Sequence, residues 1–167
     1  MYSQRIILNS EVQQDDLKTV IALKTVAWPY SYDKQVEWLK ANLNDFDYHF
    51  ILYRYNEPVA YLNLINEVVE LDGTQNPILG VGNVCTFKQG LGWGKELLLR
   101  ANDFILGKKI AGLLFCKDTL IKFYEKNSWT LVERNKLNIP PISDKINTMT
   151  FNLNSEYHSL AYKGRAF

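Results

Sequence analysis

The stretch Val84-Cys85-Thr86-Phe87-Lys88-Gln89-Gly90-Leu91-Gly92-Trp93-Gly94-Lys95 sets three glycines between two kinds of apolar pattern, and it constrains the fold more than any other feature. Before it, Ile78 to Phe87 is a short apolar run that reads as a buried strand. After it, Leu97, Leu98, Ala101, Phe104 and Ile105 recur at helical spacing. A strand therefore empties through Gly90, Gly92 and Gly94 into a helix. Glycines let the backbone turn sharply and leave its N–H groups uncovered. The helix start adds unpaired N–H groups and a dipole equivalent to roughly +0.5 charge. The combination is an anion site suited to phosphates.

The spacing excludes two common phosphate loops. Nothing reads G-x-x-x-x-G-K-[ST], and a dinucleotide G-x-G-x-x-G would need glycine at position 95 or 97, where Lys95 and Leu97 stand. Gln89-x-x-Gly92-x-Gly94 instead resembles the pyrophosphate loop [QR]-x-x-G-x-[GA] of the GNAT-type N-acetyltransferases. Downstream, Phe123-Tyr124-Glu125-Lys126-Asn127-Ser128-Trp129 is similar to that family's late F-Y-E-K-x-G-[FW] segment, with Ser128 where glycine is usual. The resemblance spans about Phe50 to Trp129. From Leu114 to Trp129 it is loosely nearer the aminoglycoside 2′-N-acetyltransferase branch than the protein-modifying enzymes.

The resemblance implies an α/β (α+β) fold with a mixed, mostly antiparallel central sheet flanked by helices. It also implies acetyl-coenzyme A as co-substrate and acetyl transfer to an amine of a small molecule or peptide by direct attack. Backbone N–H groups of Gln89, Gly90, Leu91, Gly92, Trp93, Gly94 and Lys95 would hold the pyrophosphate. Val84-Cys85-Thr86 corresponds to the family's V-x-V strand, whose backbone bonds the pantetheine amides as an added strand would. Lys117 stands about where relatives carry an asparagine beside the cofactor, and Lys88 flanks the loop; both also read as solvated lysines.

Tyr124 matches the tyrosine that protonates the departing thiolate in the family, although it also fits a core position shared with Leu120 and Phe123. Many relatives place a glutamate just before the V-x-V strand, where Gly82 and Asn83 stand here. Glu67 and Glu70 are the nearest carboxylates in sequence, a water relay is the alternative base, and Asp45 or Asp47 could draw a cationic substrate. Trp28, Tyr30 and Tyr32 read either as a staple closing a helix pair or as the wall of the acceptor pocket. The competing reading of the whole chain is an acyl-coenzyme A-binding or sensor module without turnover, which the absent acid and Ser128 favour. A nucleotide-phosphate binder, resting on the glycine loop alone, ranks third.

At 167 residues, with no repeat, low-complexity tract or linker, one domain over residues 1–167 is expected. A net charge of +1 gives no electrostatic case for nucleic acid. No apolar run reaches ~18 residues, which argues against a membrane span, and the first residues resemble no signal peptide. A cytoplasmic protein is expected. Cys85 and Cys116 sit in apolar runs as structural thiols, and no histidine is spaced to activate Cys85 as a nucleophile. His49 reads as structural, His158 lies in an unassigned tail, and these isolated residues form no metal set, so no metal is expected. That tail, 154–167, can serve a homodimer.

In chain order the pattern predicts a strand over Arg5–Asn9 and a helix started by Asp15 or Asp16 and stopped by Pro29. A second helix, capped by Ser31 or Asp33, runs to Leu43. His49–Tyr55 and Val59–Leu71 form a hairpin turning at Asn56-Glu57, and Asp72 to Pro77 makes the next turn. Ile110–Cys116 is a strand parallel to the one entering the glycine loop, and a helix capped by Asp118 or Thr119 follows. Trp129–Arg134 and Thr148–Leu153 close the sheet around a loop holding Pro140-Pro141.

Overall fold

Alternating apolar residues build the first strands, and each meets its partner in the register the alternation requires. In a computed structural model, which describes residues 1–139 and 145–167, β1 (Tyr2–Leu8) pairs antiparallel with β2 (Tyr48–Arg54), from Tyr2↔Arg54 to Leu8↔Tyr48. β2 pairs antiparallel with β3 (Glu57–Leu71), with a bulge at Leu52/Tyr53. The hairpin turns at Tyr55 and Asn56, φ 49° and 65°, one residue earlier than the sequence suggests. Two left-handed residues give the twist a two-residue hairpin needs, so the turn sits where both can adopt it. Pro140-Pro141 lies outside the described residues.

The chain divides into two units, one of residues 1–65, 82–101 and 167, the other of 66–81 and 102–166. β3 and β4 (Thr74–Thr86), joined at Asp72-Gly73, each contribute to both.

In the first unit, α1 (Gln14–Ala27) and α2 (Tyr32–Asn42) bury Val20, Ile21, Leu23 and Leu39 with Ile7, Ile51, Tyr61, Ile65 and Cys85. Each such side chain contributes ~1.5–3 kcal/mol when fully buried. Asp16, not Asp15, completes the α1 cap: its Oδ2 accepts the Gln13 N–H at 3.2 Å and Arg5 Nη2 at 3.0 Å. Ser31 Oγ accepts the Lys34 N–H at 3.4 Å to start α2. α3 (Trp93–Gly107) begins here, burying Leu97, Leu98 and Ala101.

In the second unit, β5 (Ala111–Lys117) runs parallel to β4 over Ile78–Gly80 against Ala111–Leu113, as a right-handed crossover through a helix predicts. β8 (Ile146–Phe151) pairs antiparallel with β5 and with β6 (Thr130–Leu131). The strand expected over Trp129–Arg134 is thus two residues long, because Trp129 is drawn into the interior. Its Nε1–H donates to Asn102 Oδ1 at 3.0 Å, and its ring leaves no room for a Cβ at Gly112. α4 is one short turn, Ile121–Glu125, preceded by a 3-10 turn at Asp118–Leu120. The tail is ordered by β9 (Leu160–Ala161), which pairs with β3 and with β7 (Leu137–Asn138).

Most ladders are antiparallel and helices pack on the sheet, the mixed class expected from sequence. Among the described residues no helix is long and apolar enough to cross a membrane.

Candidate functional site

In the first unit β4 ends at Thr86 and α3 starts at Trp93, so residues 87–92 form the loop. Gly90 and Gly92 have φ of 79° and 77°, the left-handed conformation that side chains resist, and nothing lies within 4 Å of a Cβ placed on either. Gly94 lies inside the first turn of α3. The Glu96 N–H is the first to bond back, to Gly92 O at 3.1 Å. Among the described residues, the N–H groups from Gln89 to Lys95 donate to no protein acceptor. Phe87 to Gly92 are exposed, as are the flanking Lys88 and Lys95. Open N–H groups, bare glycines and two cations fit a phosphate-bearing group.

The strand feeding the loop is irregular at one point. Asn83 sits at φ 52°, and its Nδ2 donates to Oδ1 of the buried Asn63. Beyond it Val84 and Thr86 are half-buried, while Cys85 turns into the core. Burial pushes the Cys85 thiol up to about 12, against the opposing pull of Lys24. Cys116, in the second unit, is likewise raised by burial to about 11 and lies 3.6 Å from Met149 Sδ. Neither is a thiolate at neutral pH, in line with structural rather than nucleophilic roles.

Gly82 is closed off on one side: a Cβ there would lie 2.5 Å from the Phe167 carbonyl carbon. Phe167 also packs against the α1–α2 core, as does the half-buried Trp28. Tyr30 and Tyr32 are 61% and 40% exposed, so Trp28 is the aromatic that packs on the α1–α2 core, while Tyr32 Oη accepts Gln14 Nε2 of α1 at 3.4 Å. Trp28 O accepts from Gln35 Nε2 at 2.7 Å.

The remaining candidates lie in the second unit. Tyr124 is buried on α4, edge-on to Phe123 and Trp129 at ring distances of 5.1 and 6.4 Å. Burial, with Cys116 nearby, raises its phenol well above the ordinary value, so it keeps its proton at neutral pH. Glu67 is held: its Oε1 accepts Arg165 Nε at 2.5 Å. Glu70 is exposed on β3 opposite Ala161, and Lys117 is exposed at the end of β5. Sequence reasoning missed Arg165 and Phe167, which sit in a tail without period. Glycine at 164 is the one trace there: a Cβ at that position would meet Glu67 Oε2 at 2.5 Å and the Tyr162 hydroxyl at 2.6 Å.

Of the buried polar side chains of the first unit, His49 and Lys24 have their pKa values shifted by burial. His49 bonds Tyr61 Oη and Asn9 Oδ1, each at 2.9 Å, as a structural group, and burial lowers its pKa to about 4. Lys24 is 2% exposed, with Nζ 4.0 Å from the Trp38 ring centroid; burial lowers its pKa to about 8. Among the described residues no group of three or more His, Cys, Asp or Glu could hold a metal ion.

No protein-family model matches this sequence, and no curated protein matches it. Solved structures do. The chain is similar to a GNAT-family N-acetyltransferase, YhbS from Escherichia coli in complex with CoA, at 14% identity and a TM-score of 0.69, over 97% of this chain and 89% of that one. ElaA from Escherichia coli gives 14% identity and a TM-score of 0.66, over 91% and 100%. An acyl-CoA N-acyltransferase from Pseudomonas aeruginosa gives 16% and 0.64, over 90% and 99%. At these identities the likeness concerns architecture: the chain carries the acyl-CoA N-acyltransferase fold of the GNAT superfamily.

Proposed function

We propose that residues 1–167 form a single acyltransferase domain that moves an acetyl group from acetyl-CoA to an amine of a small molecule or peptide. The observation that carries this is the loop from Gln89 to Lys95, whose backbone N–H groups are free of protein acceptors beside two left-handed glycines. It is supported by the fold shared with YhbS, solved with CoA. The bound coenzyme would supply an activated thioester. The loop N–H groups hold the pyrophosphate, and backbone groups of Val84–Thr86 pair with the pantetheine amides. Tyr124 carries the proton given to the departing sulfur; its phenol is a weak acid, so transfer needs a sulfur whose basicity is raised by desolvation. Trp28, Tyr30 and Tyr32 border the acceptor, and Lys117 offers a point charge to the coenzyme.

The acceptor amine must be neutral to attack, and this is where a second reading gains ground. Glu67 is held by Arg165, and Gly82 is covered by Phe167. That leaves Glu70, or water, to take the proton. The alternative is a module that binds acyl-CoA without turning it over.

A thermal melt with acetyl-CoA, beside ATP and NAD, tests the coenzyme site. At about 100 times its dissociation constant the ligand adds ~2.7 kcal/mol, a shift of roughly 5–10 °C for a chain of this size. No shift at saturation overturns both readings. A shift without transfer to any amine of a broad panel leaves the binding module. A shift with transfer that Tyr124→Phe abolishes, while the melt shift persists, establishes the enzyme.

A further inference from the structure

A groove of about 590 Å³ opens in the first unit between α1 and the start of β3, within the size range of small-molecule sites. Its floor is apolar, made by Leu23, Val59, Phe87 and Trp93. Its charged residues are unbalanced: Lys18, Arg54 and Lys88 face a single carboxylate, Glu57. Arg54 is spread over the rings of Tyr2 and Tyr55, at 5.9 and 5.4 Å, and meets no carboxylate among the described residues. Among the described residues Lys18 has only an exposed ion-pair contact with Asp15, at 3.8 Å. Trp93 is 8% exposed, yet its indole N–H has no hydrogen-bond partner among the described residues. A buried donor without an acceptor is unusual, and here it belongs to a wall of the groove.

We propose that this groove is a second ligand site, taking a small carboxylate with an aromatic or short aliphatic body. The body covers Leu23, Val59 and Phe87, the carboxylate meets Arg54 and Lys18, and the indole edge of Trp93 lines the inner wall. The site adjoins the phosphate loop: Phe87 and Lys88 belong to both, and Trp93 follows the loop directly.

Calorimetric titration with 4-phenylbutyrate, beside 4-phenyl-1-butanol as its uncharged counterpart, tests the assignment. The carboxylate should bind about tenfold or more tightly than the alcohol, since charged hydrogen bonds outweigh neutral ones. Arg54→Gln with Lys18→Gln should erase that preference while leaving the acetyl-CoA melt shift intact. Ala22→Trp, which fills the groove from the exposed side of α1, should abolish binding in a protein whose circular dichroism melt is unchanged. Three results overturn the proposal: no binding, equal affinity for acid and alcohol, or loss of phenylbutyrate binding at saturating CoA. The last would make the groove part of the coenzyme site.

Discussion

Gly82 and the backbone of Phe167 are in contact so close that a Cβ on Gly82 would sit 2.5 Å from the Phe167 carbonyl carbon and 3.2 Å from its Cα. The obstacle is backbone, which cannot rotate aside as a side-chain tip can. Gly82→Ala should therefore destabilise the protein by about 1–3 kcal/mol, the usual cost of overpacking, read as a Tm lowered by about 2–10 °C. Removing residues 165–167 from both proteins should abolish most of that difference. An unchanged Tm for Gly82→Ala in the full chain would show that the contact yields freely.

Ser128 has φ of 72°, a left-handed conformation that costs a residue with a Cβ about 1–2 kcal/mol. The position lies between α4 and the buried Trp129, whose N–H bonds back to Tyr124 O at 3.1 Å, so the chain cannot relax elsewhere. Glycine adopts this conformation freely but loses more entropy on folding. The balance favours Ser128→Gly by about 0.5–1 kcal/mol, visible as a small rise in Tm. A fall would mean that the serine hydroxyl contributes more than the backbone strain costs.

These two positions show which parts of the molecule were legible in the sequence. The glycine loop is readable because it is a local backbone requirement written into a short segment, whereas Ser128 stands out only through the glycine usual at its place in the resembling segment. The hairpin shifted by one residue because Tyr55 gives no sign that it accepts φ 49°. Trp129 reads as a strand residue by its apolarity, whereas its hydrogen bond to Asn102, 27 positions away, makes it a core anchor. Arg165 was invisible for the same reason on a larger scale: its partner Glu67 lies 98 positions upstream. Pairings at that range leave no periodicity, so a carboxylate that sequence can place only as a candidate base or a paired surface group is half of an ion pair in the structure.

His49 makes stability depend on mild acid. Its ring is fully buried between Tyr61 and Asn9, and burial chiefly lowers its pKa from 6.5 to about 4, with Lys24 adding to the effect. Between pH 4 and 6.5 the unfolded chain therefore binds a proton that the folded chain refuses. Stability rises with pH through that window and is level above it, by an amount on the order of 2–4 kcal/mol in total. Urea midpoints at pH 4.5 and 7 should differ strongly in the wild type and much less in His49→Gln. Equal slopes in the two proteins would assign the acid sensitivity to carboxylates instead.

Lys24 places the opposite end of the pH scale under test. It is almost wholly buried, stacked on Trp38 and short of any carboxylate partner among the described residues, and burial lowers its pKa from 10.5 to about 8. Below pH 8 both folded and unfolded chains carry the charge, so the folded protein bears the full cost of burying it. Between pH 8 and 10.5 the unfolded chain holds a proton that the folded chain has released, and stability rises with pH. Lys24→Met keeps the length and apolar stem while removing the charge. It should stabilise the protein at pH 7 by on the order of 2–3 kcal/mol, less whatever the stacking on Trp38 returns. The gain should shrink as pH approaches 10.5, where both wild-type states are neutral at this position. Denaturant titrations of both proteins at pH 7 and pH 10 measure the two gaps. A variant less stable than wild type at pH 7 would mean that the stacked ammonium is worth more than its lost hydration.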